Sequence, residues 1–210
     1  DHLLYDLDKW CVVEWPAEYR DGYDYDLKEG RICKGTHNVI NAYYLGAVMS
    51  FNAVARILKR PPYRDVRQLY DAYVGAFYDA SRGLFTDSIE SEHISMPGNM
   101  VAYMYGLCPE ARTADNMLML VRKNRLNSCM LFMTFPMLCG LKRTGNDALL
   151  QELLVDDGGW LRMLREGATA TFEGWGRDAK WNTSLYHLTL SYALAFMTDW
   201  GLDDVLRMAT

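Results

Sequence analysis

One short stretch concentrates residue types that carry hydrolytic chemistry: Gly167-Ala168-Thr169-Ala170-Thr171-Phe172-Glu173-Gly174-Trp175-Gly176. A single carboxylate stands among small residues and glycines, which let a ligand come close to the backbone. Trp175 offers a flat apolar face of the kind on which the C–H face of a sugar ring packs. Glycoside hydrolysis needs two carboxyl groups, one to protonate the leaving oxygen and one to activate water or attack. Glu173 fits one of those two places. Read without context, a solvated glutamate in a surface loop is the simpler account.

Three other stretches repeat the pairing of polar groups with aromatics. Val12-Val13-Glu14-Trp15-Pro16 is followed by Arg20, Asp21, Tyr23 and Asp24. Either that loop contacts a ligand or Trp15 anchors it to the core. In Ser91-Glu92-His93-Ile94-Ser95-Met96-Pro97-Gly98-Asn99, His93 could bond a sugar hydroxyl, although capping the helix that follows or filling the core is the simpler role. In Trp181-Asn182-Thr183-Ser184-Leu185-Tyr186-His187, Thr183 or Ser184 is a plausible N-cap, which would place His187 in the first helical turn. The candidate site is therefore Glu173 with Glu14, Trp15, Arg20, Asp24, His93, Trp175, Trp181 and His187 around it. The remaining tryptophans and the many methionines read as core filler.

The elements that must position these residues are helices. Residues 1–37 are irregular, with turn signals at Trp15-Pro16 and in the Asp21–Asp26 stretch. Apolar spacings of three and four then predict helices at 38–59, 63–80, 94–106, 110–123, 127–143, 146–154 and 158–166. Residues 167–182 form a loop, and helices at 183–199 and 202–208 end the chain. No stretch alternates as a strand does, so the expectation is an all-α domain of antiparallel helical hairpins.

Composition narrows the function. The 210 residues suit one domain or a large piece of one. A net charge of -5 without any Lys/Arg cluster argues against a nucleic-acid partner and suits a neutral sugar. No apolar run approaches the roughly 20 residues of a membrane span. Five cysteines without a C-x-x-C pair, and four histidines remote from them, point to plain thiols rather than a disulfide framework or zinc. The acids of 21–26 lack the glycine and terminal glutamate of a calcium loop.

Taken in order, W-x-x-V-x-W-P, S-x-H-x-S-x-x-x-N, G-W-x-x-M-L-x-x-G-A-T-x-x-x-E-x-W and N-x-S-L-x-H resemble the catalytic domain of glycoside hydrolase family 78, the α-L-rhamnosidases. The resemblance covers nearly the whole chain and is most specific from Trp160 to Trp175. It implies an (α/α)6 toroid that cleaves terminal α-L-rhamnosides with inversion and needs no cofactor. It places Glu173 as the general base, His187 in the rhamnose pocket, Glu14-Trp15 at a family Asp-Trp pair and Trp175 at the aromatic after the base. Leu188-Thr189-Leu190 stands where the family commonly has a Trp-Ser pair. The family's Arg- and acid-rich general-acid motif has no copy here.

The chain is accordingly expected to be the C-terminal portion of a six-hairpin domain from a bacterial enzyme. The acid and the remaining hairpins would precede Asp1, so the piece alone would be inactive. Apolar helix faces left exposed would invite self-association. Two alternatives stay open. Another toroid enzyme acting on acidic sugars, such as a polysaccharide lyase or unsaturated-uronyl hydrolase, would show a positive cleft, against the acidic balance here. A degenerate sugar-binding scaffold fits the missing acid.

Overall fold

The computed structural model describes residues 2–8, 11–23 and 35–197. Asp24, Cys33 and the helix expected at 202–208 lie outside the described residues. The helices are α1 (Asn38–Ile57), α2 (Val66–Phe77), α3 (Met96–Tyr105), α4 (Ala111–Asn124), α5 (Thr134–Arg143), α6 (Asp147–Leu154), α7 (Trp160–Arg165) and α8 (Ala193–Met197). A 3-10 turn at Leu188–Tyr192 leads into α8.

Local chemistry sets several of these limits. The Asp65 carboxylate accepts the Arg67 amide at 2.8 Å and starts α2 after the Pro61-Pro62 break. Ser95 Oγ accepts the Gly98 amide at 2.9 Å at the start of α3, with Pro97 in the first turn. Gly106, at φ 67°, ends that helix in the left-handed region. A two-residue hairpin, β1 (Tyr78–Asp79) with β2 (Leu84–Phe85), carries the chain out of α2. Strands so short show no alternation, and the sequence reading gave no strand there.

Burial separates the helices into two rows. Along α2 the buried residues are Leu69, Tyr73 and Phe77, and along α4 Thr113, Met117 and Val121. Each set is one stripe with four-residue spacing, the mark of an outer helix with one covered face. In contrast, α3 buries nine of its ten residues, from Met96 to Met104, and α5 is buried nearly all round. α1 packs on α3 and α3 on α5, while α2, α4 and α6 back them as hairpin partners.

The inner helices run parallel. Asn38 at the start of α1 donates to Gly98 O near the start of α3, at 2.6 Å. Tyr103 and Thr144 meet through their hydroxyls, 2.6 Å apart, where α3 and α5 end. Close approach there requires glycine, since a Cβ on Gly140 would run into the Tyr103 ring. α8 continues the row: the Phe135 ring of α5 meets Tyr192 edge-on at 5.3 Å and Phe196 at 5.9 Å. The parallel inner helices α1, α3 and α5, each backed by an antiparallel outer one, form part of an (α/α)6 toroid.

Two expected helices are shorter than their apolar patterns. The one read at 127–143 begins only at Thr134, because Met130, Phe132 and Met133 give their amides to Glu14 rather than to a helical ladder. The one read at 183–199 begins as a 3-10 turn at Leu188. Residues 184–187 pair instead with 171–173, so neither Thr183 nor Ser184 caps a helix. Apolar side chains are exposed at both ends of the array: Phe51, Val54 and Ile57 on α1, and Leu164, Leu188, Leu194 and Met197 around α7 and α8. Cys11 and Cys108 are half-buried thiols and Cys129 and Cys139 buried ones.

Candidate active site

Because α1, α3 and α5 are parallel, their N-terminal ends and the loops feeding them share one face of the array. The segment 14–23 crosses that face. Glu14, fully buried, accepts the amides of Met130 (2.9 Å), Phe132 (3.0 Å) and Met133 (2.9 Å) before α5, and that of Trp15 (2.8 Å). Asp21 accepts the Met96 amide at the start of α3, at 2.8 Å. Tyr23 donates to Asp87 O at 3.0 Å. Gly22 lies against the His93 ring, where a Cβ would come within 3.3 Å of Cε1.

The Glu173 loop opens beside this segment. Its backbone is tied to residues 184–187 by two backbone hydrogen bonds: Glu173 N donates to Ser184 O and His187 N to Thr171 O, both at 2.8 Å, and Thr171 Oγ1 donates to His187 O at 2.5 Å. The Glu173 side chain is mostly buried, 16% exposed. Its Oε1 meets Lys180 Nζ at 2.6 Å and its Oε2 accepts the Ser184 amide at 3.0 Å. Burial pushes this carboxyl up, but Lys180, the Ser184 amide and the nearby His187 more than offset that and hold it below the ordinary glutamate value. Glu173 is thus anionic at neutral pH. His187 Nδ1 is buried and finds no hydrogen-bond partner among the described residues. A buried nitrogen left without a partner is uncommon and calls for one. Lys180 Nζ also sits 5.7 Å from the centroid of the half-buried Trp15 ring.

Trp15, Glu173 and His187 therefore come together through Lys180 and the backbone bonds between 171–173 and 184–187. His93 joins the same face through Gly22, with its Nδ1 2.7 Å from the buried Asp87 carboxylate. It neither caps α3, which Ser95 does, nor fills the core. Trp181 stands 94% exposed.

Three candidates need correction. Trp175 is only 2% exposed; its indole N–H donates to Cys129 O at 3.0 Å and its ring packs edge-on against Trp160 at 4.8 Å, so it has no free face for a sugar. Among the described residues, every hydrogen bond to the Glu14 carboxylate comes from a backbone amide. Burial raises its carboxyl and the amides of Met130, Phe132, Trp15 and Met133 lower it. The net direction given by burial is upward, yet every partner is a donor, and only the ionised form complements four donors. Arg20, 5% exposed, donates from Nε to Glu14 O at 3.0 Å and supports the Trp15 turn from beneath.

Sequence reasoning missed Lys180 and Asp87. Lys180 carried no signal beyond being one of several charges in the 167–187 loop. The Asp87–His93 pairing, six residues apart, was open to detection as an acid that orients a histidine. Among the described residues no group of three or more His, Cys, Asp or Glu side chains is placed to hold a metal ion. No helix among them is long and apolar enough to cross a membrane.

Parallel inner helices with a carboxylate-bearing loop at their N-terminal face define the chain as a hairpin-toroid domain of the glycosidase type. Over residues 3–200 its sequence matches the bacterial alpha-L-rhamnosidase 6 hairpin glycosidase domain, and the chain belongs to that family. A search of curated proteins found no match.

Proposed function

We propose that this chain carries the general-base half of an inverting site for terminal α-L-rhamnosides. The observation that carries the reading is Glu173: a mostly buried, anionic carboxylate beside an unpartnered His187 nitrogen, on the face where Trp15 and His93 also lie. In this reading Glu173 takes a proton from the water that attacks the anomeric carbon. His187 bonds a ring hydroxyl, and Trp15 with the exposed Trp181 packs on the sugar. The leaving oxygen is protonated by a carboxylic acid from outside the described residues, roughly 6.5–9.5 Å from Glu173 as inverting enzymes require.

A second reading, a sugar-binding domain without turnover, is favoured by one observation. Glu14, Asp21 and Asp87, acids of the same face, are engaged by backbone amides or by His93. One experiment separates the two: hydrolysis of an aryl α-L-rhamnoside by this chain joined to the segment that supplies the general acid, with the anomer released followed by proton NMR. Loss of a general base lowers such rates by about 10²–10⁴-fold, the expected effect of Glu173→Gln. Turnover by that variant within a factor of two of wild type rejects the base role. L-Rhamnose binding without turnover in either protein supports the binding domain.

A further inference from the structure

We propose that Lys180 is the positioning residue of the Glu173 carboxylate, clamping one of its oxygens and linking it to the Trp15 ring. This rests on the reading of Glu173 as a general base, though the geometry stands without it. Nζ and Oε1 are 2.6 Å apart, and each side chain is 16% exposed. The pair is therefore shielded from the water and salt that weaken surface ion pairs. The Ser184 amide holds the other oxygen. With one donor on each oxygen, the carboxylate cannot rotate without breaking a contact.

Lys180 is itself fixed. Its amide donates to Thr183 Oγ1 at 2.9 Å, and the same hydroxyl donates back to Lys180 O at 2.8 Å. The loop's other charges are turned elsewhere. Arg177 binds Glu166 through its amide and guanidinium, and Asp178 pairs with Arg162. Besides Lys180, the titratable group acting on Glu173 from the facing 184–187 segment is His187.

Two consequences follow for a base in this position. An adjacent ammonium keeps the carboxylate ionised at the working pH, at some cost in basicity. The same ammonium lies within cation–π range of Trp15. A sugar stacked on that ring would meet the charge that fixes the base, so placement of the sugar and of the base share one side chain.

The test is a carbon-13 carboxyl NMR titration of Glu173 in wild type, Lys180→Met and Lys180→Arg, each first checked for folding by circular dichroism. The expected result is an upward shift of the Glu173 midpoint in Lys180→Met and its return toward wild type in Lys180→Arg. An unchanged midpoint in folded Lys180→Met overturns the proposal. Should that variant not fold, the wild-type Lys180 Nζ nitrogen shift decides. If it moves with the Glu173 midpoint the clamp is supported, and if it stays flat through that range the clamp is overturned. None of these readings involves turnover. A normal Glu173→Gln rate would remove the base role and leave the clamp, whereas a flat titration would remove the clamp and leave the base.

Discussion

Glu14→Gln changes one atom at a carboxylate that four backbone amides hold. Glu14 Oε1 receives the amides of Trp15 and Phe132, and Oε2 those of Met130 and Met133. Whichever oxygen becomes the amide nitrogen, two backbone N–H groups lose their acceptor and face a donor. Leaving a buried donor unsatisfied costs about 1–3 kcal/mol, so two cost about 2–6 kcal/mol. Removing a buried charge relieves some desolvation penalty and offsets part of this. The favourable field at the start of α5 is lost with the charge. A net loss of about 3 kcal/mol is a large share of the roughly 5–15 kcal/mol that holds a domain together. For a chain of this size it lowers the melting temperature by about 6–12 °C. Differential scanning calorimetry reads that shift. Amide hydrogen exchange should accelerate at Met130, Phe132 and Met133 ahead of the α3 core. A melting temperature within about 2 °C of wild type, with those amides still protected, would refute the account of Glu14 as the anchor of the 130–133 turn.

Other outcomes follow from the same geometry. Trp175→Ala should cost about 3–5 kcal/mol in urea unfolding, as a buried aromatic. Trp181→Ala should change stability by less than about 0.5 kcal/mol while weakening any L-rhamnose binding seen by fluorescence. The Glu173 carboxyl is held below its unfolded value, so its ion pair contributes stability at pH above the ordinary glutamate range. That contribution is lost as acid carries the pH down through the folded value. The stability gap between wild type and Lys180→Met should therefore narrow on acidification below the ordinary glutamate range, measured by urea unfolding at successive pH values. The apolar faces of α1 and of α7–α8 should drive concentration-dependent association in sedimentation velocity, and Ile57→Lys should reduce it.

The helical array was legible because α1 to α6 keep their apolar residues at spacings that survive folding. Outer helices such as α2 and α4 each present one stripe, and a stripe is what sequence periodicity detects. The errors share a cause. Met130-Leu131-Phe132-Met133 is apolar enough to read as helix, but three of its four amides are drawn to Glu14, more than a hundred residues away in sequence. Residues 184–187 likewise give up helix for backbone hydrogen bonds with Thr171 and Glu173. A distant acceptor leaves no mark on local periodicity. At the candidate site, side-chain type suggested the neighbourhood but not the direction each group faces. Trp175 and Trp181, six residues apart in the same loop, end at 2% and 94% exposure.

Glu14 and Glu173 show what decides the use of a carboxylate on one face of a toroid. Both are shielded from water, and both accept backbone amides. Glu14 has four such donors, filling the two oxygens, and nothing is left with which to receive a proton from a ligand. Glu173 has one amide and one ammonium, one per oxygen, so each oxygen keeps a lone pair. A carboxylate saturated by rigid donors holds a turn; one held at two points and otherwise open can take a proton from water. The number of fixed donors, not burial or neighbouring aromatics, separates the structural acid from the candidate base.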